Sequence, residues 1–171
     1  MADDIINRVA QSQLVVIDLE DFYPQGKRVQ FDIKDWLYEG FVLREKEFRQ
    51  QVKNHDWSQY QNQYVALMCS TDAIIPAWAY ILITIELASY SKKTIIGDLN
   101  ILETSIYQDI VSDLDLGLYQ DKPIIIKGCS HKPVPDNAYV LLSEVLQPVA
   151  KSIMYGEACS SVPLFKKKKK F

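Results

Sequence analysis

From Tyr64 onward the chain alternates short apolar runs with longer helical stretches of roughly 12–16 residues, and this restricts the fold more than any other feature. The runs are Tyr64-Val65-Ala66-Leu67-Met68, Thr94-Ile95-Ile96, Pro123-Ile124-Ile125-Ile126 and Ser152-Ile153-Met154-Tyr155. Each reads as a strand. Between them, residues 74–88 form a nearly all-apolar helix that tolerates Pro76 in its first turn. Asp98 caps a helix whose Leu99, Leu102, Ile106, Ile110 and Leu114 make one stripe. Asp136 or Asn137 caps another, with Leu141, Leu142, Val145 and Val149 inward. Strands separated by helices imply βαβ units with right-handed crossovers. The predicted class is therefore α/β, a parallel or mostly parallel, doubly wound sheet flanked by helices.

The first 60 residues read differently. Leu14 to Leu19 is a strand, Tyr23-Pro24-Gln25-Gly26 has turn chemistry, and Val29, Phe31 and Ile33 alternate with polar residues as a second strand. A hairpin is expected there, followed by a charged helix over 44–54 with Phe48 and Val52 on one face. The expected organisation is one α/β domain over 1–165, with a hairpin-and-helix part to residue 60, a βαβαβαβ core over 61–165 and a basic tail over 166–171. No internal repeat longer than a few residues is evident.

Charge narrows the partners. There are 22 acidic and 19 basic residues, and five of the bases are the run Lys166–Lys170. Without that run the body holds 14 bases (19 − 5) against 22 acids, a charge of −8. An acidic body argues against a phosphate-binding face, and Trp57, Tyr60 and Tyr64 lack interleaved Arg or Lys, so no nucleic acid is expected. No apolar run approaches the roughly 18 residues of a membrane span, and the acidic start Met1-Ala2-Asp3-Asp4 lacks a secretory core. A soluble, cytoplasmic protein is expected. The apolar helix at 74–88, together with Trp36, Leu37 and Tyr38, predicts a homodimer.

Three cysteines cannot form a complete disulfide framework. Cys69, Cys129 and Cys159 each follow a predicted strand, at the edge where open α/β sheets bind ligands. With the four strands in the order second-first-third-fourth, the three cysteine-bearing strands would be neighbours. Their sulfurs would then converge on one zinc ion or iron–sulfur cluster, with Asp72 or His131 as a fourth ligand. Each cysteine precedes a serine, and Cys129 and Cys159 begin the pattern C-S-x-x-P. Ser70 and Asp72 are also expected to cap the following helix. Two other roles stay open: a reactive thiol, such as Cys69 with His131 as base, and simple packing. No dinucleotide, P-loop or other recognised catalytic motif is present. Asp18, Glu20 and Asp21 form an acidic group, read as a solvated loop.

Several segments carry a family resemblance: Ile17-Asp18-Leu19-Glu20-Asp21-Phe22-Tyr23-Pro24, Phe31-Asp32-Ile33-Lys34-Asp35-Trp36-Leu37, Asn54-His55-Asp56-Trp57-Ser58, Pro76-Ala77-Trp78-Ala79-Tyr80, Lys127-Gly128-Cys129-Ser130 and Gln147-Pro148-Val149-Ala150-Lys151-Ser152-Ile153-Met154. From about residue 5 to residue 166 the chain resembles a bacterial family catalogued as domain of unknown function 2480. The resemblance brings no established activity. It implies genes neighbouring those of the sulfur-mobilisation system for iron–sulfur assembly, and so iron–sulfur assembly proteins as partners. The three Cys-Ser pairs match the family pattern; His131 and the lysine tail depart from it. Two functions follow as expectations: a metal- or iron–sulfur-binding accessory factor, or a non-enzymatic interaction protein whose cysteines only pack.

Overall fold

Short apolar strands satisfy their backbone groups only by pairing, and here the pairing sorts them into two sheets. The computed structural model describes residues 13–128, 131–157 and 159–168. In chain order the strands are β1 (Val15–Ile17), β2 (Arg28–Asp32), β3 (Tyr64–Met68), β4 (Lys93–Ile96), β5 (Pro123–Ile126), β6 (Ser152–Glu157) and β7 (Ser160–Lys166). The α-helices are α1 (Glu45–Asn54), α2 (Ala77–Leu87), α3 (Leu99–Ser112) and α4 (Asp136–Leu146). One sheet has the order β1-β5-β6-β7, with β7 alone antiparallel. The other is β2-β3-β4, all parallel. The protein is thus a mixed α/β chain with mostly parallel sheets flanked by helices. Among the described residues no helix is long and apolar enough to cross a membrane.

The chain divides into two compact units: unit 1, from Met1–Tyr23 and Tyr107–Phe171, and unit 2, Pro24–Ile106. The division falls inside α3. In unit 1 the α4 residues Ala138, Leu142 and Leu146 cover Ile124, Ile126 and Ile153 of the sheet. In unit 2 the α2 residues Ala79, Ile83 and Leu87 cover Val65, Leu67 and Phe31. Spacing of four residues puts each trio on one helix face.

Several expectations need correction. β1 and β2 do not form a hairpin: β1 pairs with β5 and β2 with β3, both parallel. Nor do the four regular strands share a sheet, since β3 and β4 belong to unit 2 and β5 and β6 to unit 1. The N-terminal strands are the missing partners, inserted beside β5 and β3. Helix α4 starts after Pro135, with Asp136 inside its first turn, and α2 starts after Pro76 without a side-chain cap. Ser70 instead donates its amide to Asp32. The strand β7 was not anticipated.

The two units also repeat one another, which the sequence alone conceals. Asp18 follows β1 and Asp32 ends β2, and each caps a 3-10 turn by accepting the amide two residues on at 3.0 Å. Asp56 and Asp115 cap the 3-10 turns before β3 and β5 in the same way, again at 3.0 Å. Asn62 and Asp121 then both take the left-handed conformation, at φ 59° and 53°. Their amides donate to Tyr90 and Val149, at 2.9 and 2.8 Å. Strand registers agree as well: Phe31, Leu67 and Ile96 lie level in unit 2, and Ile17, Ile126 and Tyr155 in unit 1. Gly97, just past β4, and Gly156, next to last in β6, have φ of 143° and 120°, where a side chain would be strained. In sequence, Asp56, Tyr60, Pro76, Ala79, Tyr80 and Leu87 recur 59 residues on as Asp115, Tyr119, Pro135, Ala138, Tyr139 and Leu146. Between them the offset slips to 60, so that Cys69-Ser70 matches Cys129-Ser130.

Candidate functional site

Parallel strands bring their carboxyl ends to one edge, and side chains leaving that edge meet there. In unit 1, Ile17 and Ile126 lie level, so the next residues, Asp18 and Lys127, are neighbours. The Lys127 ammonium lies 2.8 Å from the Asp18 carboxylate. Its hydrogen bond holds Asp18 below the usual carboxylate range, and the carboxylate in turn raises Lys127. Glu20 accepts the amides of His131 and Lys132, while the Lys132 ammonium donates to the Glu20 carbonyl at 2.9 Å. The acidic loop read from the sequence is therefore a clamp on the segment that follows β5.

Beside this edge, a groove of about 580 Å³ runs between α4 and the sheet. Its walls are Ile126, Tyr139, Val140, Tyr155 and Leu164, with Ser143, Glu144 and Gln147 at the helix side. The Tyr139 and Tyr155 rings meet edge to face, centroids 5.8 Å apart. Tyr155 lies over Gly128, where a Cβ would come within 2.5 Å of the ring and push it aside. Leu164 reaches the groove because the register of β7 shifts opposite Ile153 and Met154, leaving one extra residue. Burial raises the Tyr139 phenol, helped by Tyr155 and by the charges of Asp18, Glu20 and Asp136.

Unit 2 carries the same edge with different chemistry. Met68 stands where unit 1 has Lys127, and Asp32 binds the Lys34 and Ser70 amides rather than a lysine. Cys69 is half-buried, its Sγ 3.4 Å from the Thr71 hydroxyl. A hollow of about 610 Å³ lies nearby, lined by Phe41, Leu43, Asp72, Ile74 and Trp78 among others.

The sequence profile of the family described as "Protein of unknown function (DUF2480)" matches residues 3–167. The chain belongs to this family. Comparison with curated proteins and with solved structures finds no match.

In this DUF2480 protein the expected ligand set is spread over both units. Cys69 and the exposed Asp72 belong to unit 2, while Cys159, exposed in the turn between β6 and β7, and His131 belong to unit 1. Cys129 lies outside the described residues. Cys69 follows β3 of one sheet, whereas β5 and β6 belong to the other, so these three strands are not neighbours in a single sheet. Among the described residues no group of three His, Cys, Asp or Glu side chains is placed to hold a metal ion. Trp57 and Tyr60 are core residues: with Phe31 and Trp36 they enclose His55, whose Nε2 is 3.0 Å from the Tyr60 hydroxyl. Sequence reasoning missed the Tyr139–Tyr155 groove. The usable signal was the doubled pattern of Ala-Tyr three residues after a proline.

Proposed function

We propose that the protein is a non-enzymatic interaction module whose unit 1 groove receives an aromatic or aliphatic side chain from a basic segment of a partner protein. The observation that carries this reading is the tyrosine-walled apolar groove with Glu144 at its helix side. Apolar walls supply affinity, and Glu144 selects a positively charged segment. The net charge of the body favours such a partner over an acidic one. Cys69 has a hydroxyl beside it rather than a base, which gives no support to a thiol enzyme. The test is amide chemical-shift mapping with short Lys-Phe-Lys and Glu-Phe-Glu peptides. Shifts at Val140, Tyr155 and Leu164 with the lysine peptide alone, weakened by Val140→Asp, are expected. No shifts at the groove with either peptide would remove the proposal.

A second reading draws on the internal repeat. Cys69 and Cys129 head the same step of the two copies in sequence, each followed by serine. That recurrence favours thiolate chemistry: an iron–sulfur cluster or zinc bound by Cys69, Cys129 and Cys159, with Asp72 or His131 as fourth ligand, in an accessory factor for iron–sulfur assembly. The gene neighbourhood implied by the family resemblance points the same way. Metal analysis and a visible absorption spectrum of anaerobically purified protein decide it. Stoichiometric metal that Cys129→Ser removes would establish the accessory-factor reading; metal-free, colourless protein would end it.

A further inference from the structure

The repeat shows what unit 2 leaves open. In unit 1 the chain turns back after β6, and β7 pairs along it antiparallel, from Glu157↔Ser160 to Ser152↔Lys166. In unit 2 the chain leaves β4 through Gly97 into α3, so β4 is the last strand of its sheet among the described residues. The surface beside that edge is also more apolar than its counterpart. Ile96 replaces Tyr155, Ile81 replaces Val140 and Ile85 replaces Glu144. Ile96, Ile81 and Ile85 are 59%, 58% and 64% exposed. In unit 1 the equivalent residues wall the groove that Leu164 of β7 helps to close. Among the described residues, unit 2 thus has the strand and the helix face of that arrangement without the covering strand.

We propose that a second copy of this chain supplies the cover: two β4 strands pair antiparallel about a two-fold axis, and the two α2 helices lie on the same face of the joined sheet. A two-fold axis normal to a sheet generates an antiparallel neighbour, the relation β7 has to β6. The strand is also self-complementary. With the axis beside Ile95, Ile95 faces Ile95 of the partner subunit, Thr94 faces the partner's Ile96 and Lys93 faces the partner's Gly97, so no like charges oppose. The Lys93 ammonium is held by the Ser105 carbonyl at 2.9 Å and that of Lys92 by the Gln25 carbonyl at 2.6 Å, both inside unit 2. The edge carries no proline, and its lysines are turned to these internal acceptors, so the usual guards against edge pairing are missing.

The test uses the full chain in sedimentation velocity and light scattering at micromolar concentration. Wild type should show twice the 19.7 kDa chain mass. Ile96→Lys combined with Ile85→Glu should raise the dissociation constant at least about tenfold, with an unchanged circular-dichroism spectrum. Val140→Glu, on the corresponding face of unit 1, should leave the dimer intact and so separates this interface from the groove. Hydrogen exchange at residues 93–96 should slow as concentration rises. A monomeric wild type, or a dimer that survives the double substitution or dissociates with Val140→Glu, overturns the proposal. A 93–96 exchange rate independent of concentration in a dimeric sample does the same.

Discussion

Units 1 and 2 share one plan and differ in what that plan carries. Shared are the capping aspartates, the left-handed residue before the central strand, the proline before its helix and the positive-φ glycine at the end of the third strand. Each answers a demand of the backbone: orphan amides need acceptors, and positive φ or a helix start restricts the residue type. The differences lie where the backbone asks nothing. Lys127 stands against Met68, Tyr155 against Ile96 and Glu144 against Ile85. Unit 1 became a polar-edged groove, and unit 2 an apolar edge. The cores diverged as well: unit 2 is built on Phe31, Trp36, Phe48 and Trp57, whereas unit 1 is mostly aliphatic.

The sharpest contrast sits on α3. Glu103 in unit 2 is buried against Arg28, Oε1 to Nε 2.5 Å, and Arg28 also donates to the carbonyls of Pro24 and Gly26. In unit 1 the fully buried Tyr107 donates its hydroxyl to the Leu19 carbonyl at 2.9 Å. Removing one member of a buried ion pair strands the other charge. Glu103→Ala should therefore destabilise by about 3–5 kcal/mol. Tyr107→Phe removes a neutral hydrogen bond and should cost about 0.5–1.5 kcal/mol. Urea unfolding measures both. Equal losses would mean that the Arg28–Glu103 pair is effectively solvated.

The cores can be compared at matched positions, because Leu87 and Leu146 are both fully buried on the inner faces of α2 and α4. Truncation to alanine should cost about 2–5 kcal/mol at either. All three tryptophans, Trp36, Trp57 and Trp78, lie in unit 2. Tryptophan fluorescence therefore reports unit 2 and circular dichroism reports both units. Leu87→Ala should lower the fluorescence midpoint more than Leu146→Ala does. Identical shifts in both probes for both variants would show that the units unfold as one.

Helices and strands could be read from the chain because their signals are local. The 3.6-residue stripe of α3 and the β3 run gave elements within a few residues of those observed. Pairing could not be read. Ile124-Ile125-Ile126 and Val65-Ala66-Leu67 look alike as buried strands, and nothing local says which N-terminal strand each accepts. The hairpin inference failed for that reason: a turn at Pro24 is compatible with a chain that turns and then enters a different sheet. The repeat was hidden by Gly128, which shifts the offset between copies from 59 to 60, and by Ala73, which shifts it back. The expected strand order behind the cysteine site shares this fault, since it placed β3 in one sheet with β5 and β6.

Unit 2 should also respond to acid through His55, whose counterpart in unit 1 is Leu114. Burial lowers the His55 pKa below the usual 6.5, opposed in part by Asp56. A base with a depressed folded pKa stays neutral in the fold and takes up its proton on unfolding. Its contribution is present above 6.5 and is lost as pH falls through that value. The tryptophan-detected melting temperature should drop between neutral pH and about pH 5, and His55→Gln should flatten that slope. A slope unchanged by the substitution would assign the acid response to other groups.

The smallest effect separates the two central helices. Thr84 and Ser143 occupy the same step of α2 and α4, and each hydroxyl donates back to a carbonyl four residues earlier, Tyr80 at 2.8 Å and Tyr139 at 2.7 Å. Such back-bonding adds little to a carbonyl already used by the helix, and both residues are poorer helix formers than alanine. Thr84 is exposed, so Thr84→Ala should stabilise by about 0.5 kcal/mol. Ser143 is half-buried in the groove wall, where its hydroxyl is one of few polar atoms. Ser143→Ala should gain less stability than Thr84→Ala and should tighten binding of an apolar side chain in the groove. If Ser143→Ala stabilises as much as Thr84→Ala and leaves peptide shifts unchanged, the groove wall behaves as ordinary helix surface and the contrast between the units reduces to the β4 edge.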